Sequence, residues 1–118
     1  LNDLYDVKGD IGNVSIMDYK TNISNAVDLA EPSDKRLVIL LNIAYFKEGC
    51  TNGTSKIFAW NKALSEIAYT KKIALVDAFT ALETNGGPGL LDDILHPGQN
   101  GHDVIAKSVI EVLKKQLE

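Results

Sequence analysis

The stretch Arg36-Leu-Val-Ile-Leu-Leu-Asn-Ile-Ala44 decides the fold. Its aliphatic residues follow one another without alternation, so both faces of the strand they predict must be covered, as in the interior of a parallel sheet. Working outward, Ile73-Ala-Leu-Val-Asp-Ala-Phe79 reads the same way and predicts a second buried strand ending in a carboxylate. Between them a polar loop over 47–54 leads into a helix that Thr54 or Ser55 can cap and Lys71-Lys72 close. Its inner stripe is Ile57, Trp60, Leu64, Ile67 and Ala68, and Tyr69 is read with Trp60 as core. Upstream, residues 1–15 read as a loop, and Ile16, Tyr19, Ile23, Ala26, Val27 and Ala30 recur at helical spacing until Pro32 stops the run. Downstream, a long loop holds Asn85-Gly-Gly-Pro-Gly89, a poor candidate for regular structure and an expected flexible rim. A last helix runs from about Gly98 to Leu117, with Ile105, Val109, Val112, Leu113 and Leu117 inward. Helices alternating with strands give an α/β fold with a parallel sheet.

The totals narrow the function. At 118 residues the chain is one domain at most, and 45% hydrophobic with 24% charged residues places it with soluble globular proteins. A net charge of −4 with scattered lysines argues against a nucleic-acid binder, which needs a clustered basic face. Cys50 is the one cysteine, so no internal disulfide forms, and no His or Cys stands near it at metal-ligand spacing. The longest apolar run, Leu37 to Leu41, is too short to span a bilayer, and no signal peptide opens the chain. Sequons at Asn13, Asn22 and Asn52 would matter only in a secreted protein, and the compartment stays open between cytoplasmic and secreted.

Catalytic groups in open parallel sheets gather beyond the carboxyl ends of the strands. The loop there contains Leu91-Asp-Asp-Ile-Leu-His-Pro-Gly98, then Gln99-Asn-Gly-His102. Asp93 and His96 stand three apart, so a short turn can fold the carboxylate back onto Nδ1 and leave Nε2 outward. One nitrogen held by an acid and the other facing a nucleophile is what a general base requires. An exposed loop histidine beside a helix-capping aspartate accounts for the same spacing. His102, in the first turn of the last helix, reads as a packing or loop-bracing residue, and Asp92 as a solvated acid. Asp77 reads as a strand-end carboxylate that holds loop backbone.

Asp93-Ile-Leu-His-Pro97 followed by Gly101-His102 and an amphipathic terminal helix resembles the last block of the SGNH (GDSL-type) hydrolases, D-x-x-H-P-x-x-x-G. The strand ending Leu75-Val-Asp77 is similar to the one that leads into that block, and Leu1-Asn-Asp-Leu4 is similar to the family's G-x-N-D block. The resemblance implies a three-layer α/β/α domain of flavodoxin-like type, of which residues 1–118 form the C-terminal portion. It implies an ester hydrolase acting by acyl transfer on a carbohydrate, lipid or small ester, with Asp93 orienting the base, His96 as the base and Asn2 as the oxyanion donor. No metal or cofactor is implied. Where the family has Gly after the motif's Asp and Asn after His-Pro, this chain has Ile94 and Gly98. It also lacks a Gly-Asp-Ser stretch, so the nucleophilic serine is expected from a segment outside it. Ser15, Ser24, Ser33, Ser55, Ser65 and Ser108 stand in capping, loop or helix-face contexts.

Two further readings stand beside the hydrolase. One is a non-catalytic binding or structural module of the same fold without the nucleophile; the other is an unrelated flavodoxin-like domain in which the Asp-x-x-His spacing is accidental. In the first two readings, two strands fall short of the usual sheet of about five. The strand over 36–44 would then carry an open edge, and open edges pair with other chains. A complementary N-terminal segment or chain, or self-association, is therefore expected.

Overall fold

A computed structural model describes residues 14–33, 35–42 and 53–118, with side chains in the last stretch described from residue 57 onward. The first helix, α1, spans Ile16–Ala30. Ser15 caps it, its Oγ accepting the Asp18 N–H at 3.0 Å, and Asp18 adds negative charge where the helix dipole favours it. Glu31 ends α1 in a left-handed conformation (φ 51°) just before Pro32. The strands β1 (Ile39–Leu41) and β2 (Ala74–Val76) pair in parallel, Leu40 opposite Leu75. Joining them is α2, Gly53–Lys71, which continues into Lys72 at φ 55°.

All five residues of the α2 stripe are buried, from Ile57 at 1% exposed to Ile67 at 7%. With Tyr19 and Phe79 they build the core: Tyr19, Ile57, Trp60, Leu64 and Phe79 form one cluster, and Val14, Ile23, Leu40, Leu75 and Leu95 pack against it. The rings of Tyr19 and Trp60 lie 4.1 Å apart between centroids, joining α1 to α2. At the surface, Lys71 meets Asp28 at 2.5 Å and Lys20 meets Glu66 at 2.9 Å across the same helix pair. Exposed pairs of this kind add about 0–1 kcal/mol each.

Several expectations need correction. The aliphatic runs are longer than the strands. Within the described part of 36–44 the strand is Ile39–Leu41, with Asn42 adding one more ladder hydrogen bond to Val76 O, and Ile43 and Ala44 lie outside the described residues. Downstream, Asp77 ends β2 early because its carboxylate accepts the Thr80 N–H at 3.0 Å and caps a helix, α3, over Ala78–Thr84. The apolar Ala78, Phe79 and Leu82 thus bury one face of a helix rather than extend a strand. Gly87–Leu90 forms a short 3-10 turn, so part of this segment is regular; Gly87 is buried, while Asn85, Gly86, Pro88 and Gly89 are exposed. Tyr69 is 88% exposed, since it lies on the far side of α2 from Trp60. The last helix, α4, spans Gln99–Leu117 as expected, but its stripe from Ile105 to Leu113 is only half-buried and Leu117 is 80% exposed. Cys50, Asn13 and Asn52 lie outside the described residues, and Asn22 is exposed on α1.

Alternation sorts the sheet faces. Leu40 and Leu75 turn toward the α1–α2 side, and Val76 is buried on the other side, where α4 lies against β2. There β1 has less cover, and Leu41 is 48% exposed. Among the described residues no helix is long and apolar enough to cross a membrane.

If the Tyr19–Trp60 cluster holds the helices to the sheet, Trp60→Ala should destabilise the protein by about 3–5 kcal/mol. Tyr69→Ala should stay within about 0.5 kcal/mol. Urea midpoints of the two variants check both figures.

Candidate active site

Parallel pairing puts the ends of β1 and β2 at one edge, and the segment from 90 to 98 is fastened there by its own backbone. Leu91 bridges Pro97 in antiparallel fashion. The Asp92 N–H donates to His96 O at 2.9 Å, and the Gly98 N–H donates to Leu90 O at 2.9 Å. The resulting ribbon has residues 93–95 at its tip. There the Asp93 carboxylate folds back: Oδ1 accepts the N–H groups of Leu95 and His96, each at 2.7 Å. Oδ2 meets His96 Nδ1 at 2.7 Å. One carboxylate therefore shapes the turn and holds the ring.

Those contacts also set the electrostatics. The Leu95 N–H, then the His96 N–H and ring, hold the Asp93 carboxyl well below the usual carboxylate range, at about 2. An ionised carboxylate only accepts hydrogen bonds, so Nδ1 of a neutral His96 carries the proton and Nε2 keeps its lone pair. With 73% of its side chain exposed, His96 presents that nitrogen to solvent. Leu95, between the two, packs on the core cluster and anchors the tip. The arrangement can orient an imidazole, take up a proton at Nε2 and stabilise the imidazolium that results.

Three solved structures give the context. The chain matches an alpha/beta hydrolase enzyme from the metagenome of Lake Arreo, Spain, with 25% identity and a TM-score of 0.68 over 84% of this chain and 47% of that one. It matches a mutant of an acetyl-xylooligosaccharide esterase from Geobacillus stearothermophilus at 21% identity and TM-score 0.76, over 94% and 54%. A member of the lipolytic G-D-S-L family from Veillonella parvula matches at 20% identity and TM-score 0.72, over 86% and 56%. The chain folds as these hydrolases do. It spans about half the length of each of these structures. No family model matches the sequence, and no curated protein matches it.

In this hydrolase-like fold the remaining residues find their places. Gly101, the last position of the D-x-x-H-P-x-x-x-G pattern, is buried where α4 crosses the ribbon; a Cβ there would stand 2.6 Å from Leu90 O and 2.9 Å from Pro97 Cβ. Gly98 is buried as well, and the Asp92 carboxylate fills the space its side chain would need. Ile94 is 46% exposed beside the pair. Against expectation, His102 is exposed, while its backbone N–H donates to Gly98 O at 2.9 Å. Asn2 lies outside the described residues. Ser65 and Ser108 donate to carbonyls one turn back on their own helices, at 3.0 and 3.1 Å. An open pocket of about 580 Å³ lies at the opposite end of the sheet, lined by Arg36, Lys72, Ile73 and Leu117 among others.

Sequence reasoning passed over Asn42. It sits at the carboxyl end of β1 with 8% of its surface exposed and donates from Nδ2 to Asp77 Oδ1 at 2.7 Å. A buried amide just after an aliphatic strand was the available signal, because buried polar side chains are kept where they have partners. Burial pushes the Asp77 carboxyl up, but hydrogen bonds from Thr80 and Asn42 outweigh it and the net shift is downward.

Because its folded pKa lies below the ordinary value of 3.8, Asp93 contributes stability that is complete above roughly pH 4 and lost as pH falls toward about 2. Carbon-13 NMR of the Asp93 carboxyl should show a midpoint near 2, and Asp93→Asn should remove that part of the acid dependence of stability.

Proposed function

We propose that this chain carries the acid and base of a serine ester hydrolase of the GDSL type. The single observation that carries the reading is the 2.7 Å contact from Asp93 to His96 Nδ1, on a loop at the carboxyl edge of a fold shared with esterases. A catalytic mutant of the Geobacillus acetylxylan esterase is a serine-to-alanine change, which supports serine chemistry on this fold. The nucleophile here belongs to the portion of the domain outside these residues, and residues 1–118 supply its C-terminal part.

The chemistry follows from the pair. His96 Nε2 takes the proton of the serine hydroxyl as its oxygen attacks the ester carbonyl. Asp93, ionised and already bonded to Nδ1, stabilises the imidazolium without accepting its proton. Asn2 is assigned to the oxyanion, where one donor is worth about 10²–10³ in rate. His96 then returns its proton to the leaving alcohol, and water discharges the acyl-enzyme by the same route. An exposed imidazole on an open edge suits an ester that is reached from solvent.

Labelling of the native protein with a fluorophosphonate should depend on His96 and be lost in His96→Ala. Asp93→Asn should lower kcat by about 10³–10⁴, since it no longer enforces the tautomer. No labelling of a folded protein would favour the non-catalytic module.

We further propose that the exposed apolar residues Leu41 and Leu117 and the half-buried face of α4 belong to the contact with the complementary part of the domain. The purified 118-residue chain should therefore sediment with a partner segment or self-associated; a well-folded monomer would contradict this.

A further inference from the structure

The carboxamide of Asn42 bridges two elements that the chemistry needs in register. Its backbone N–H extends the parallel ladder to Val76 O at 3.1 Å. Its side chain then turns across the sheet edge, where Nδ2 donates to Asp77 Oδ1 at 2.7 Å and Oδ1 accepts the Phe79 N–H at 3.1 Å. Asp77 accepts the Thr80 N–H with that same oxygen. The first turn of α3 is thus capped twice, once from its own chain and once from β1, and Phe79 sits between the two caps.

Only a carboxamide fits this place. One end must donate, because it faces a carboxylate, and the other must accept, because it faces an amide. An aspartate would set two carboxylates together, and a leucine would leave the Phe79 N–H without an acceptor. The consequence reaches the loop through packing. Phe79 meets Phe58 edge-on at 5.3 Å between centroids and belongs to the buried cluster on which Leu95 rests. Leu95 lies between Asp93 and His96 in sequence, with its N–H held by the Asp93 carboxylate.

We infer that Asn42 is a positioning residue for the Asp93–His96 pair, acting through α3 and the core cluster under Leu95. It touches neither member of the pair. Its effect on catalysis rests on the hydrolase reading; its effect on the loop does not.

Amide hydrogen exchange on the purified native protein separates the possibilities. In Asn42→Ser, which cannot span both partners, and in Asn42→Asp, which opposes Asp77, the Leu95 and His96 amides should exchange at least about tenfold faster. Amides of Leu64 and Ala68 in α2 should stay within about twofold. Asp77→Asn on its own keeps an oxygen for both Thr80 and Asn42, so it should leave exchange in the loop native. Unchanged loop exchange in folded Asn42 variants would overturn the inference. So would equal loss of protection throughout α1 and α2, up to outright unfolding, because that marks a global role. With a model ester the Asn42 variants should lose about tenfold in kcat with KM unchanged. If the native protein hydrolyses no ester and takes no fluorophosphonate, the hydrolase reading fails, and the exchange pattern still decides the role of Asn42.

Discussion

Parallel pairing of β1 with β2 is the constraint on which the molecule turns. Two strands running the same way must be joined by a crossover, and α2 is that crossover. The same pairing delivers Asn42 and Asp77 side by side at one edge, each the residue that follows its strand. The ribbon with the acid–base pair also depends on it, because Leu95 reaches the cluster formed where α1 and α2 lie on the sheet. An open pocket lies at the other end, where Arg36 and Ile73 precede the strands. That pocket is separate from the proposed site: the Asp93–His96 pair is exposed on an edge.

The two faces of this small sheet are finished to different degrees. On the α1–α2 face the apolar residues close over one another, and Ile57 and Leu64 are nearly inaccessible. On the α4 face, Val76 is closed off at 1% exposed while its neighbour across the pairing, Leu41, is 48% exposed. The asymmetry follows from one helix covering one strand. A run as aliphatic as Leu37–Leu41 gains its burial free energy only with both faces covered, at about 25 cal/mol per Å² of apolar surface. On the partial-domain reading proposed above, that less covered second face is where the complementary part would gain this burial.

Much of this was legible in the sequence, and the reasons differ by element. The α2 stripe was readable because a 3.6 period sorts residues without knowledge of what they meet. Tyr69 was not: it follows Ala68 by one position, about 100° around the helix, and period alone does not say where the buried arc ends. The second strand was read too long because Ala-Phe serves a short helix as well as a strand. The decision lay in Asp77, whose cap on Thr80 is a local competitor to the ladder. Asn42 stayed hidden because both its partners are more than 30 residues away in sequence.

Asp93 and His96 were legible for the opposite reason, since everything that holds the pair together lies within three residues of Asp93. A carboxylate that caps two backbone N–H groups with one oxygen and an imidazole with the other needs no distant partner to take its shape. That self-sufficiency separates forming the pair from aiming it. The turn fixes the ring relative to the carboxylate, whereas Leu95 seats the turn on the core cluster and Gly101 lets α4 pass close behind it. A general base is useful when its free nitrogen lies within hydrogen-bond reach of a nucleophile carried by another element. In the proposed chemistry the packing under Leu95 would therefore matter as much as the short contact at the tip, although it leaves no motif in the sequence.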